Sequence, residues 1–256
     1  MSSSRKTGTL ESIHTYGDGT RNYTALQTWE DAHTIDCVTG TTSPVLECYD
    51  DAASFNDYVA IAGATTNATY FRIIRPAAGQ GHDGTPNNGV SFFSTTNAHI
   101  FSLNESNSQV QDIIAKLTLN VITTWNCFLT LTSYTLNAFV GCIAFDSSNA
   151  GTGGANGFLL SSGLAIDCLA HNCEYYGFSS SILQASNTIR FYNCTSTNNT
   201  GTGGWGFRMA GNQATGVHIY TNCLSTGNTI DFSDGTTNSP TRTVTYCAST
   251  DTTADD

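Results

Sequence analysis

Residues 190–207 read RFYNCTSTNNTGTGGWGF, and residues 139–158 read FVGCIAFDSSNAGTGGANGF. Both run through the same features: aromatic residues before a cysteine, a polar stretch, Gly-Thr-Gly-Gly, and then Gly-Phe. The cysteines extend the echo into a series. Cys142, Cys168, Cys194, Cys223 and Cys247 are separated by 26, 26, 29 and 24 residues. Each follows a short extended segment (AFVGC, LAIDC, IRFYNC, VHIYTNC, RTVTYC). Four are followed by a polar run of variable length and then an apolar return: GFLLSS from 157, GFSSS from 177, GFRMAG from 206 and IDFSDG from 230. A period of this size, made of short β-rich pieces with elastic turns, is the mark of a solenoid.

The fold expected is therefore all-β, a right-handed parallel β-helix with one repeat per coil. Stacked coils lie roughly 4.8 Å apart, so equivalent positions form columns, and insertions fall in turns where they do not disturb the stack. Leucine-rich repeats would need regularly spaced Leu and Asn, and helical repeats need 3.6-residue periodicity; neither is present. A β-sandwich is the rival, since it also uses short strands between turns. Period-2 alternation puts Val140, Cys142, Ile166 and Cys168 on one face, with Gly141 and Asp167 on the other. Phe191 and Cys194, three apart, share a face only if a bulge lies between them.

Upstream, DYVAIAG, YFRIIRP, GVSFFST, AHIFSL, AKLTLNVIT and CFLTLTS read as earlier coils without the cysteine marker, and AAGQGHDGTPNNG (77–89) as a long loop. In NYTALQTWEDAH the spacing of Leu26 and Trp29, with Ala25 and Ala32 alongside, predicts an amphipathic helix over about 22–33. It is expected to cap the solenoid's first edge. The chain thus divides into a cap region, 1–50, and a parallel β-helix, 51–256.

Composition agrees. Only 11% of the 256 residues are charged, against about a quarter in an ordinary domain, and Thr, Ser, Asn and Gly take their place, as suits β-structure. The net charge of −11 argues against nucleic acid or an anionic membrane as partner. No apolar run is long enough for a bilayer, and the N-terminus carries no signal-peptide pattern. Nine cysteines without a secretory signal do not suggest a disulfide framework, so the repeat cysteines are expected as buried, reduced thiols that fill the interior. The Asn-x-Ser/Thr sites are what a chain so rich in these residues contains by chance.

GDGTRNYTALQTWEDA (17–32) followed by ATTNATYFRIIRPAAGQGHDGT (64–85) resembles the opening of a group of right-handed parallel β-helix proteins encoded by bacteriophages and by marine and environmental bacteria. More broadly the chain is similar to tailspikes, fibres and decoration proteins of phage virions. That resemblance implies a β-helix, often trimeric, displayed on a virion surface after synthesis in the host cytoplasm. Its partners would be other virion proteins and a host surface glycan. It supplies little chemistry, and no counterpart of the head domain that joins tailspikes to the virion is expected among these residues.

β-Helices also carry polysaccharide lyases and hydrolases, so carboxylates matter. Glycoside hydrolysis needs two of them about 5–10 Å apart. The repeat region offers Asp146, Asp167, Glu174, Asp231 and Asp234, with Asp167 and Glu174 sharing an outward face and Asp231 and Asp234 close in sequence. The basic residues a lyase would use, Arg190 and Arg208, are isolated. Random placement produces such pairs readily, so no catalytic set is assigned. GTGGWG matches Gly-x-Gly-x-x-Gly at Gly201, Gly203 and Gly206, but no helix follows, and its twin at 151 points to a turn. Cys168, His171 and Cys173 lack a fourth zinc ligand, and Asp50, Asp51 and Asp57 read as solvated loop rather than a calcium site. No cofactor or metal is expected. Tyr175, Tyr176 and Trp205, placed in variable loops, suit packing between subunits, with stacking on sugar rings as the alternative. The expected function is a structural subunit on a phage exterior; the alternatives are a polysaccharide lyase or glycoside hydrolase and a non-catalytic glycan-binding adhesin.

Overall fold

The computed structural model describes residues 10–86, 88–131, 134–182, 187–201, 203–211, 216–234 and 241–251. Each coil visits three parallel sheets in turn, and the coils stack along one axis as a parallel β-solenoid of about seven turns. One complete coil runs through Ala138–Val140 in the first sheet, Ile143–Phe145 in the second and Ala155–Leu160 in the third. The next repeats this with Gly163–Ile166, Leu169–His171 and Tyr176–Ile182, in register with the strands below. The upstream segments fall into the same sheets, among them Val59–Ile61, Ile73–Pro76, Ser91–Ser94 and Ile114–Leu119.

The corner before each repeat cysteine explains how residues three apart share the interior. Gly141, Asp167, Asn193, Asn222 and Tyr246 all have φ between 45° and 65°, the left-handed region. One such residue bends the chain from the first sheet to the second and reverses the alternation across it. Phe191 and Cys194 therefore both point inward, while the expected facing of Val140 and Ile166 is corrected. They pair with each other on the outer side, and their neighbours Phe139 and Ala165 join the core instead. At Gly141 a Cβ would come 2.2 Å from the Asp112 carboxylate oxygen, so a side chain there would have to push that carboxylate aside; the left-handed φ favours glycine, although Asp, Asn and Tyr hold it at the equivalent corners.

Inside, like stacks on like. Phe128, Phe158, Phe178, Phe207 and Phe232 form a ladder in the third sheet, with successive ring centroids 4.6–4.9 Å apart and planes within 12°. The Phe of each Gly-Phe return thus marks the core. The repeat cysteines form a second column, continued below Cys142 by Ile113, so an aliphatic side chain fills the same place one coil earlier. The sulfurs of Cys168, Cys194 and Cys223 lie 3.4–3.5 Å from the carbonyl oxygens of Phe139, Ala165 and Phe191 on the coil below. No cysteine is bonded to another, and all are buried except half-buried Cys247. Burial pushes the thiols of Cys142, Cys168 and Cys194 well up, away from the reactive thiolate. In native protein a thiol reagent is expected to label Cys247 at most, and all nine only after unfolding; rapid native labelling of several would refute the interior column.

The helix spans Leu26–Ala32, shorter than expected. It is capped from a distance: Asp57 Oδ2 accepts the Leu26 N–H at 2.8 Å and the Tyr16 hydroxyl at 2.9 Å. Leu26 and Trp29 are buried, and so is Glu30. Gln27 and Glu30 accept the N–H groups of Ala60 and Ala62, which the strand Val59–Ile61, last in the third sheet, would otherwise leave open. Before and after the helix, Glu11–Tyr16 and Ser43–Cys48 begin the first sheet.

Behind the helix lies a buried ionic cluster. Arg72, 1% exposed, donates from Nη1 to Glu30 Oε1 at 2.9 Å, from Nε to Glu105 Oε1 at 2.7 Å and from Nη2 to Glu105 Oε2 and the Ala62 carbonyl. Glu105 also accepts from Ser108 Oγ and the Ala64 N–H. The cluster ties the cap to the next two coils.

Candidate functional site

Of the carboxylates singled out as catalytic alternatives, Asp167, Glu174 and Asp231 are each held by structural hydrogen bonds. Asp167 is an exposed left-handed corner residue whose Oδ1 accepts Asn193 Nδ2 at 2.9 Å, one rung of an Asp/Asn ladder that Asn222 continues. Glu174 lies in the bend between the strands Leu169–His171 and Tyr176–Ile182 and accepts the Asn149 N–H of the coil below. Asp231 is 1% exposed and takes the place that glycine holds in the returns Asn156-Gly157-Phe158, Tyr176-Gly177-Phe178 and Trp205-Gly206-Phe207. It accepts from Ser225 Oγ, Asn228 Nδ2 and the Thr250 hydroxyl and N–H. Burial pulls its pKa up, but these bonds prevail and hold it below the usual carboxylate value. Asp234 ends the strand Ile230–Asp234, and its side chain lies outside the described residues.

The other motifs resolve into packing. Gly151 and Gly201 each lie against a backbone carbonyl of the coil below, Val121 and Glu174, where a Cβ would come within about 2 Å. Gly154 and Gly203 hold the Tyr175 ring between them. Close backbone approach therefore accounts for both Gly-Thr-Gly-Gly copies. Cys168 and Cys173 point into the core while His171 is half-buried on the outer side of the second sheet, so the three do not converge. Asp51 pairs with Arg21 at 2.7 Å, and Asp57 caps the helix.

Two surface features stand out. A cleft of about 560 Å³ lies where the 77–89 loop folds over the outer face of the first sheet, lined by Glu47, Arg75, Gly79, His82 and Gln111 among others. His82 fastens the loop: its Nε2 meets the Gly141 carbonyl and its Nδ1 accepts the Gly84 N–H. The charges here are spent on each other, Arg75 being bound by Glu11 and Glu47 at 2.8 and 3.0 Å. This cleft brings together residues far apart in sequence that no local pattern marks.

The second feature gathers the three aromatic residues the sequence singles out and adds a fourth residue. Tyr176 and Trp205 are strand residues in register, not loop residues, which corrects that expectation. Their ring centroids are 5.4 Å apart, and Tyr175 lies 4.1 Å from Tyr176. Arg208 lays its guanidinium over both, 4.6 Å from the Tyr176 ring and 5.3 Å from that of Trp205. Among the described residues the Arg208 side chain has no carboxylate or carbonyl partner, and its Nε is buried without an acceptor. Ser179, in register beside it, is 1% exposed, and its Oγ is likewise unmatched. Burial, the Tyr175 contact second, raises the Tyr176 phenol, so it stays neutral at physiological pH. Tyr176 is 7% exposed and the Tyr175 ring is clasped between Gly154 and Gly203, so the strip is a packed aromatic cluster closed over by Arg208, with Trp205 half-buried.

No described helix is long and apolar enough to cross a membrane. Among the described residues no group of three or more His, Cys, Asp or Glu side chains converges in a metal-holding arrangement. Comparison with protein families, with curated proteins and with solved structures found no match to this chain.

Proposed function

We propose that this chain is a structural subunit on the exterior of a bacteriophage particle, a decoration, fibre or spike component that works as a homotrimer. The observation that carries the reading is the outer face of the first sheet. Near the start this face is charged, with Glu11, Glu47 and Arg75. From the fifth strand it turns largely apolar: Ala138, Leu164 and Ile219 share one row, interrupted by Arg190, and Val140, Ile166 and Tyr192 share the next, which continues to Thr221. A sheet face solvated on its own favours polar residues, whereas a self-association face buries such a strip. Threefold closure buries it on every copy. The structural roles of Asp167, Glu174 and Asp231 support the same reading, as does the likeness of the N-terminal stretch to phage β-helix proteins.

Light scattering at micromolar concentration is expected to give about three times the 27.2 kDa chain mass. Ile166→Lys with Ile219→Lys is expected to return it to monomer without unfolding. A monomeric native protein defeats the assembly, and a gene lying away from any capsid or tail gene would count against the virion setting.

A further inference from the structure

We propose that Cys223 and Cys247 form a redox site, closing into a disulfide that locks the last coil of the solenoid when the protein meets hydrogen peroxide. The two are successive members of the thiol column, with Thr221 in register with Thr245 before them and Leu224 with Ala248 after. Cys247 is half-buried where the other eight cysteines are buried, so it is the thiol an oxidant can reach. It is also the last of the column. The three sheets end on its coil, at Ile230–Asp234, Thr241–Thr245 and Ala248–Ser249, and no strand stacks above them among the described residues. Its sulfur sits directly over the cysteine below: Cys223 donates its backbone N–H to Cys247 Sγ at 3.4 Å, and the two thiols are within hydrogen-bonding reach of each other.

Geometry explains why only this pair should close. Stacked Cα atoms roughly 4.8 Å apart fall inside the range of about 4.4–6.8 Å that a disulfide spans, but their side chains run parallel, so the Cβ atoms must approach by about 1 Å. Cys142, Cys168 and Cys194 each have a coil on both sides, and shortening one spacing there opens the next. Cys247 has a coil only below it, on a loose strand whose Thr241 and Thr243 are exposed and whose Val244 is only partly buried. Donating to Cys223 raises the Cys247 thiol, and the Cys194 and Cys247 thiols in turn lower that of Cys223, so the pair's first proton comes from between the two sulfurs. The peroxide then takes the Cys247 sulfur to a sulfenic acid, releasing one water. The Cys223 sulfur attacks it; the S–S bond forms, the S–O bond breaks, and the hydroxyl leaves with the remaining thiol proton as a second water. The chemistry does not depend on the virion reading, though a subunit folded in a reducing cytoplasm and released from it would meet the oxidant only after folding.

The test treats the folded full chain with hydrogen peroxide and then counts thiols after denaturation. The count is expected to fall by two from nine, with a peptide map joining Cys223 to Cys247 within one chain. Cys223→Ser should stop at the Cys247 sulfenic acid, which dimedone traps, and Cys247→Ser should keep all its thiols. Cys194→Ser should leave the bond to form as before. The bond closes a loop that holds the last turn of chain, so amide exchange across 241–245 should slow by at least about tenfold on oxidation and recover with dithiothreitol. Circular dichroism establishes that each variant is folded; if Cys247→Ser is not, the peptide map of the unaltered chain carries the test. An unchanged thiol count, the same loss in Cys247→Ser, a bond between two chains or between another pair, or exchange that does not slow would each overturn the proposal. Any of these failures leaves the trimer measurement untouched.

Discussion

Arg72→Met is expected to lower the unfolding free energy by about 3–5 kcal/mol, because it strands two buried carboxylates. Glu30 and Glu105 are 4% and 3% exposed, and Arg72 is the cation between them. Methionine nearly matches the arginine stem in volume, so the loss reports charge and hydrogen bonding rather than a cavity. The same change in a Glu105→Gln background is expected to cost at least about 1 kcal/mol less. Glutamine can turn its amide oxygen to the Ala64 N–H and donate from its amide nitrogen to the Ser108 hydroxyl oxygen, while removing one of the two uncompensated charges. Replacing both glutamates with apolar residues should help less, since Ala62 and Ala64 would then lose their acceptors. Urea unfolding of the unaltered chain, the two single variants and the double variant measures this. A loss under about 1 kcal/mol for Arg72→Met would show that the cluster does not hold the cap to the coils.

Acid is expected to weaken the fold well before the carboxylates titrate. His99 and His218 are buried as neutral rings, and desolvation pulls both from 6.5 down to about 4. His99 Nδ1 accepts from the Asn126 N–H at 3.1 Å, a bond a protonated ring loses. His218, fully buried in the strand Val217–Thr221, meets Ser180 Oγ at 2.7 Å, and its Nε2 has no partner. Because the folded pKa lies below the unfolded one, the unfolded chain takes up protons first as pH falls. The stabilisation is therefore complete above about pH 6.5 and is lost progressively down to about pH 4. At about 1.36 kcal/mol per pH unit of displacement, each histidine accounts for roughly 3 kcal/mol over that window. His14, lowered by burial and then by the neighbouring His33 ring, adds in the same direction. Urea midpoints at pH 7.5, 5.5 and 4.2 should fall steadily, and His218→Gln should flatten about half of the slope. A midpoint that does not move between pH 7 and 4.5 would rule out neutral burial.

The repeat itself was legible because a solenoid writes its period into the chain. Stacked coils share one environment per column, so Cys142 to Cys247 recur, and the Phe of each Gly-Phe return recurs with them. Facing was only half legible. Strict alternation puts Val140 beside Cys142, and the single left-handed corner at 141 that reverses it leaves a mark no stronger than Gly, Asp, Asn, Asn and Tyr at equivalent positions. The glycines of Gly-Thr-Gly-Gly could be read as a turn, but the reason they must be glycine lies in the backbone of a coil about 30 residues away.

The candidate site divides the same way. Composition and the Tyr-Tyr and Trp-Gly-Phe stretches singled out Tyr175, Tyr176 and Trp205, since aromatic residues beside a repeat turn are visible without coordinates. Arg208 looked isolated in sequence, three residues past Trp205 with no basic neighbour. Only coil stacking, which sets residues 176 and 205 side by side, brings its guanidinium over two rings and leaves it without a counter-charge. Likewise Asp57 as the helix cap, Arg72 with Glu30 and Glu105, and the cleft under the 77–89 loop join residues dozens of positions apart. What depends on one coil repeating the last was determined by the sequence alone. What depends on which side chains meet across coils was decided by the tertiary structure, because contact between neighbours in a stack is set by register and corner geometry rather than by any local pattern.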